Sequence, residues 1–274
     1  MLTNLYLFSF IFFFLPTDVA SESPSHQRIY CVIKTFGQNL ETRAFTIHQT
    51  WARRCDKHSF LVATNLTRWS NITLPILNLN DVGDNYAELS IKVFDALNVI
   101  IQQPQPYDFD WLFIADDDTY VIMENLRLLL QYTSKPLVYG HVFKPKTAAP
   151  VHLSGGAGYA INTIALQRML PNLQTTCSQW YVPGMEDVYV SRCLQQLNIT
   201  LNAAFDHYHH RFYPVEFLSM YKMDFPQWYV DYNTLESYPG FSCCSPLSIS
   251  FHYMTREWMN LIEWARYLDD DNNI

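Results

Sequence analysis

Five consecutive apolar residues, Trp111-Leu112-Phe113-Ile114-Ala115, run straight into Asp116-Asp117-Asp118. A short unbroken apolar run suits a strand buried on both faces, as in a parallel sheet covered by helices. In open sheets of that kind ligands bind beyond the carboxyl ends of the strands. Three carboxylates at such an end repel one another unless a cation offsets them. Oxygen ligands suit Mg²⁺ or Mn²⁺, ions that bridge to phosphate oxygens. The alternative is a solvated acidic turn. The chain carries its own control in Asp269-Asp270-Asp271, equally acidic but with no strand before it, which reads as solubilising only.

The same alternation extends to both sides of that run. Ile29 to Thr35, Ser59 to Ala63 and Ile76 to Leu79 read as strands. Leu40 to Trp51, Ala87 to Ile101 and Asn125 to Tyr132 read as helices, the second on its spacing of Leu89, Val93, Leu97 and Ile100. Strands alternating with helices imply an α/β chain with a largely parallel sheet. No repeat or linker divides it, and the second half is less regular and richer in Tyr, Trp and Pro. With 49% hydrophobic and 16% charged residues, long disorder is excluded. A formal charge of −8 argues against a nucleic-acid partner, which needs a basic face to track phosphates.

Residues 1–20 hold an apolar run, Leu5 to Leu15, closed by Pro16 and shorter than the ~20 residues of a spanning helix. Two readings stand: a signal peptide cleaved near Val19-Ala20-Ser21, which gives a secreted form, or a short type II membrane anchor. Either places a short stem, 21–28, and a catalytic domain, 29–274, in the secretory lumen. Sequons at Asn65, Asn71 and Asn198 and an even count of 6 cysteines agree with that compartment. Six cysteines allow 15 pairings. The adjacent Cys243 and Cys244 would form a strained ring if bridged, and otherwise pair elsewhere or stay free.

Three further motifs carry candidate chemistry. His252, in Ser250-Phe251-His252-Tyr253, offers a nitrogen to a carboxylate site, or is a satisfied core histidine. Ser154-Gly155-Gly156-Ala157-Gly158-Tyr159 lets backbone approach a ligand closely, or bends tightly under the sheet. Glu186 and Asp187 open a helix, where negative charge is favourable. Capping explains one of these acids, and the other is a candidate general base.

Taken in order, the Asp triplet, Gly-Gly-x-Gly-Tyr, Glu-Asp-Val and Cys-Cys…Phe-His-Tyr resemble the fringe-like glycosyltransferases of family 31. Cys31…Thr50-Trp51…Cys55 adds to the likeness, which covers about Cys31 to Tyr253. The resemblance implies a GT-A fold, Rossmann-like with a mixed, largely parallel sheet. It implies an inverting transfer of galactose from UDP-galactose to the 3-hydroxyl of GalNAc O-linked to Ser or Thr of a glycoprotein. Mn²⁺ is then the cofactor, held by Asp116, Asp118 and His252, and Asp187 is the base. Thr35, Gln38, Asp84, Asn85, Lys92, Asp116, Asp117, His252 and Tyr253 fall where the family contacts the nucleotide sugar. Glu186, Trp228-Tyr229 and Tyr232 fall where it holds the acceptor. The resemblance also implies the disulfides Cys31–Cys55, Cys177–Cys193 and Cys243–Cys244, attachment to the Golgi membrane through the N-terminus, and a homodimer. The alternatives are a fringe-like transferase with another donor or acceptor, and a silent chaperone-like relative. The intact triplet disfavours the latter.

Overall fold

The structure, a computed structural model, describes residues 26–267 apart from 65–70, 80–81, 147–148, 207–208 and 234–237. The N-terminal apolar run, the Asn65 sequon and Asp269-Asp270-Asp271 lie outside the described residues. No described helix is long and apolar enough to cross a membrane.

The first half builds the sheet from β1 (Ile29–Lys34), β2 (Lys57–Val62), β3 (Ile76–Asn78) and β4 (Trp111–Asp116), with the two-residue β5 (Tyr120–Val121) following. Then come β6 (Val138–Gly140), the hairpin of β7 (Val142–Phe143) and β8 (His152–Leu153), β9 (Tyr159–Asn162) and β10 (Leu201–Ala203). The central sheet has seven strands in the order β10-β6-β9-β4-β1-β2-β3. All its pairs are parallel except those of β9, which runs antiparallel between β4 and β6. The expected mixed, largely parallel α/β sheet is therefore present.

The apolar runs are buried on both faces because successive side chains alternate. Ile29, Cys31 and Ile33 join Phe113 and Ala115 in one core with Leu40, Ile47 and Trp51. Tyr30 and Val32 join Leu112 and Ile114 in the other, against the helix that follows β3. The helices are α1 (Phe45–Gln49), α2 (Leu89–Ile101), α3 (Met123–Leu129), α4 (Thr163–Met169), α5 (Glu186–Gln196), α6 (Phe217–Lys222), α7 (Gln227–Tyr232) and α8 (Arg256–Tyr267).

Three expected helices differ from the sequence reading. The segment expected as one helix over 40–51 is a π turn, Leu40–Ala44, then α1, then a 3-10 turn, Trp51–Arg54. Thr50 breaks it with φ −107° and ψ −117°. The break points Trp51 Nε1 at Thr119 O, 2.9 Å away, which ties the turn below the Asp triplet. The helix expected from Ala87 begins at Leu89, because Tyr86–Glu88 forms a 3-10 turn capped by Asn85. The helix expected over 125–132 begins at Met123 and ends at Leu129, where Leu130 leaves helical geometry.

The small strands β11 (Phe205–Asp206) and β12 (His209–His210) pair antiparallel. A third sheet brings the distant parts of the chain to the site: β13 (Phe212–Tyr213), β14 (Ser250–Phe251) and β5. Phe251 pairs with Tyr120, and Met254 N donates to Asp118 O at 2.8 Å. The disulfides are Cys31–Cys55, Cys177–Cys193 and Cys243–Cys244, as the resemblance implies.

Candidate active site

β4 delivers Asp116 at its last residue, and the turn after it carries Asp117 and Asp118. β14 delivers His252 from the far end of the chain. Ligand atoms of Asp116, Asp118 and His252 all lie within 4.8 Å of one another. His252 Nε2 stands 3.0 Å from Asp118 Oδ1 and 3.5 Å from Asp116 Oδ2. Its Nδ1 faces Pro214 O at 3.3 Å, which leaves Nε2 toward the carboxylates. Burial would lower the imidazole pKa, but hydrogen bonds to the two aspartates raise it to about 9. Two hard oxygens and one imidazole fit a Mn²⁺-type ion.

The glycine loop makes room for this arrangement. A Cβ at Gly156 would overlap the His252 ring, and one at Gly155 would overlap the Glu186 carboxylate. Tyr253 sits at φ +57°, a left-handed conformation that costs a non-glycine residue about 1–3 kcal/mol. Its ring stacks on His252, centroids 3.9 Å apart.

Asp117 turns the other way and is buried. It accepts from Thr35 Oγ1 at 2.6 Å, Asn39 Nδ2 at 2.9 Å and Arg43 at 3.1 Å. Burial pushes its pKa up against these donors. Arg43, on the π turn, also reaches Asp118 at 3.4 Å.

Glu186 and Asp187 open α5 and are set differently. Glu186 is buried and pairs with the equally buried Lys34, whose Nζ also lies 2.9 Å from Asp116 Oδ1. Burial pushes Glu186 up to about 7 against the pull of Lys34, with Asp187 and Asp116 adding to the rise. Burial opposes the Lys34 charge too, yet Asp116 and Glu186 hold its ammonium well above the usual range. Asp116 is driven upward by burial and held well below the ordinary carboxylate range by Lys34 and His252. Asp187 is only half-buried. Its Oδ2 accepts from Gly155 N at 3.0 Å and its Oδ1 from Val188 N at 2.8 Å, so backbone alone orients it.

Two clefts adjoin here. The smaller, about 260 Å³, is lined by Lys34, Thr35, Arg43 and the Asp triplet. The larger, about 420 Å³, is lined by Glu186, Asp187, Trp228, Tyr232, Phe143 and His152. Tyr86, Leu89, Asp116, His252 and Tyr253 border both. Trp228 and Tyr232 stand edge-on to Phe143, at 6.1 and 5.9 Å between centroids. Their neighbour Tyr229 is buried, and Tyr232 is partly buried against the same core.

Four of the residues expected at the nucleotide do not line either cleft. Lys92 is fully buried and donates to Thr35 O at 2.7 Å and Asp84 Oδ1 at 2.9 Å. Asp84 also receives Gly37 N at 2.6 Å, so the pair braces the loop after β1 from behind. Gln38 is exposed, and Asn85 caps the turn before α2. Conversely, Lys34, Asn39, Arg43 and Tyr86 were not singled out by the sequence. A lysine at the end of an apolar strand was the available signal for Lys34.

An α/β sheet with a cation-type ligand set at its carboxyl edge, and two clefts meeting there, is the layout of an enzyme that brings two ligands together. The Fringe-like family matches residues 24–273. The chain is 32% identical over 264 residues, 93% of its length and 71% of the relative's, to glycoprotein-N-acetylgalactosamine 3-beta-galactosyltransferase 1 of Xenopus laevis. The chain belongs to the fringe-like family and is a glycosyltransferase. Among solved structures, galactosyltransferase LgtC with donor and acceptor sugar analogues is 11% identical, with a TM-score of 0.46 over 87% of this chain and 96% of that one. The catalytic domain of Drosophila beta1,4galactosyltransferase 7 with xylobiose is 16% identical, with a TM-score of 0.37 over 64% of each chain.

Proposed function

We propose that the chain transfers galactose, with inversion, from UDP-galactose to the 3-hydroxyl of a GalNAc O-linked to Ser or Thr of a glycoprotein. The observation that carries this reading is the meeting of two clefts at Asp116 and His252, one acidic and one walled by Asp187 and aromatic rings. The name of the Xenopus relative supports the choice of donor sugar and acceptor.

In this reading the smaller cleft takes the nucleotide sugar and the larger the acceptor. Asp116, Asp118 and His252 would hold Mn²⁺, which supplies Lewis-acid neutralisation of the departing diphosphate. Asp117, held by Thr35, Asn39 and Arg43, lines the smaller cleft where the nucleotide would lie. Trp228 and Tyr232 stack on the apolar face of the acceptor sugar, with Glu186 beside them. Asp187 accepts the proton of the 3-hydroxyl as that oxygen attacks the anomeric carbon. The bond from that carbon to the UDP oxygen breaks on the opposite side, so the configuration inverts and no covalent sugar–enzyme intermediate is needed. Each Asp187 oxygen accepts one backbone N–H and retains a lone pair for the incoming proton. A lumenal, Golgi-membrane enzyme attached through its N-terminus, working as a homodimer, completes the reading. The three disulfides support an oxidising compartment.

The test is a donor screen with a GalNAc-O-peptide and Mn²⁺, followed by linkage analysis of the product. A β1,3-linked galactose, lost on adding EDTA, is expected. Preference for another donor, or undiminished transfer in excess EDTA, would overturn the assignment.

A further inference from the structure

The mechanism above gives no task to Lys34, a buried cation that lines the smaller cleft and pairs with Glu186 of the larger. Lys34 is the last residue of β1, and the register sets it beside Asp116 on β4. Its side chain is 2% exposed and joins Asp116 Oδ1 to Glu186 Oε1. A Cβ at Gly155 would stand 3.1 Å from Lys34 Nζ and against the Glu186 carboxylate, so the glycine loop is shaped around this pair as well as around His252. A buried ammonium is tolerated only when fully paired, and removing it strands its partners. Here the partners belong to different tasks. Asp116 is one of the three residues that could hold a cation, and Glu186 lines the larger cleft. Glu186 Oε1 is taken by Lys34, while Oε2 has no hydrogen-bond partner among the described residues.

We propose that Lys34 is a positioning residue. It fixes Glu186 so that Oε2 accepts a hydrogen bond from a hydroxyl of the acceptor sugar, and by occupying Oδ1 of Asp116 it leaves Oδ2 as the oxygen that would be offered to a cation. The first half of this proposal rests on the transfer reading above, and the second does not. Lys34 thereby separates two carboxylates that would otherwise repel, and one charge sets the geometry on both sides of the reacting bond.

The experiment compares Lys34→Met, Glu186→Gln and the double variant with the wild type. Mn²⁺ alone is titrated into metal-free protein, and acceptor KM and kcat are measured with UDP-galactose and a GalNAc peptide. Lys34→Met should raise acceptor KM about tenfold or more, the scale of a lost hydrogen bond to a charged group. Its Mn²⁺ affinity should be kept or increased, because a positive charge beside the ligand set has gone. Glu186→Gln should raise acceptor KM similarly, and the double variant should be no worse than either single. If Lys34→Met does not fold alone, the double variant removes the buried pair together and carries the same two readouts. Weaker Mn²⁺ binding by the folded variant, an unmoved acceptor KM, or losses that multiply in the double variant would each overturn the proposal. Failure of the transfer reading looks different: the wild type then modifies no GalNAc peptide, and the metal titration alone judges Lys34.

Discussion

Substituting Gly156 by alanine puts one methyl group where the site has least room. The new Cβ would lie 2.6 Å from His252 Nε2 and nearer still to Nδ1 and Cε1. The imidazole has little freedom to retreat, with Tyr253 stacked on it at 3.9 Å and Nδ1 facing Pro214 O. The loop is held too, since Gly156 O accepts from Thr119 Oγ1 at 2.7 Å. Overpacking of this kind costs about 1–3 kcal/mol. If the whole cost falls on the ligand position, at ~1.4 kcal/mol per factor of ten, Mn²⁺ affinity drops about 5- to 150-fold. Calorimetric titration of metal-free protein reads this directly, without substrate. Gly158→Ala is the control. Its φ of +78° and its approach to Phe113 Cζ at 2.6 Å make it a lesion of the strand core, away from His252. That variant should lose thermal stability while its folded fraction binds Mn²⁺ normally. Wild-type Mn²⁺ affinity in Gly156→Ala would refute the claim that the glycine exists to admit the imidazole.

Three other outcomes are expected. Asp187→Asn should cut kcat by about 10²–10⁴ while leaving UDP-galactose binding intact, whereas Glu186→Gln should keep most of kcat; the reverse pattern would move the base to Glu186. Replacing Cys31 and Cys55 together by serine should lower unfolding free energy by about 2–5 kcal/mol in urea titrations, and an unchanged midpoint would show that the bridge is dispensable. Acid should destabilise the chain through His141 and His210, whose ring centroids are 4.1 Å apart. Burial lowers His141 to about 4 and His210 to about 2, so the unfolded chain protonates first, near 6.5, as pH falls. Their contribution is whole above pH ~6.5 and drains away as pH falls, toward 4 for His141 and toward 2 for His210. Melting temperatures followed over that range should fall less steeply for His210→Phe than for the wild type; equal slopes would remove His210 from the account.

The parts of the chain that read clearly from sequence are those where one physical demand acts alone. Trp111 to Ala115 is buried on both faces, so its apolar run carries its own meaning. The aspartates after it are conspicuous because three carboxylates crowded at a buried strand end repel one another unless cationic or hydrogen-bonding groups offset them. Leu40 to Trp51 misled because its apolar spacing is helical, while the π turn and the break at Thr50 serve contacts made far away, from Arg43 to Asp117 and from Trp51 to Thr119. Lys34 was hidden for the same reason, since its partners are a neighbouring strand and a helix much later in the chain. Lys92 and Asp84 show the converse. Resemblance placed them at the nucleotide, and three-dimensional packing pairs them with each other behind the loop.

Asp116 and Asp118 are supplied from the middle of the chain and His252 from much later in it, beside a strand that pairs with β5. Synthesis runs from the N-terminus, so a growing or truncated chain displays the carboxylates long before the imidazole that completes the set. In the proposed reading, affinity for the cation is therefore a report on completion: a chain that fails to seat β14 is left with an acidic turn and no full set of candidate ligands. In the proposed reading, a metal-loaded molecule is one whose late strand β14 has docked on β5.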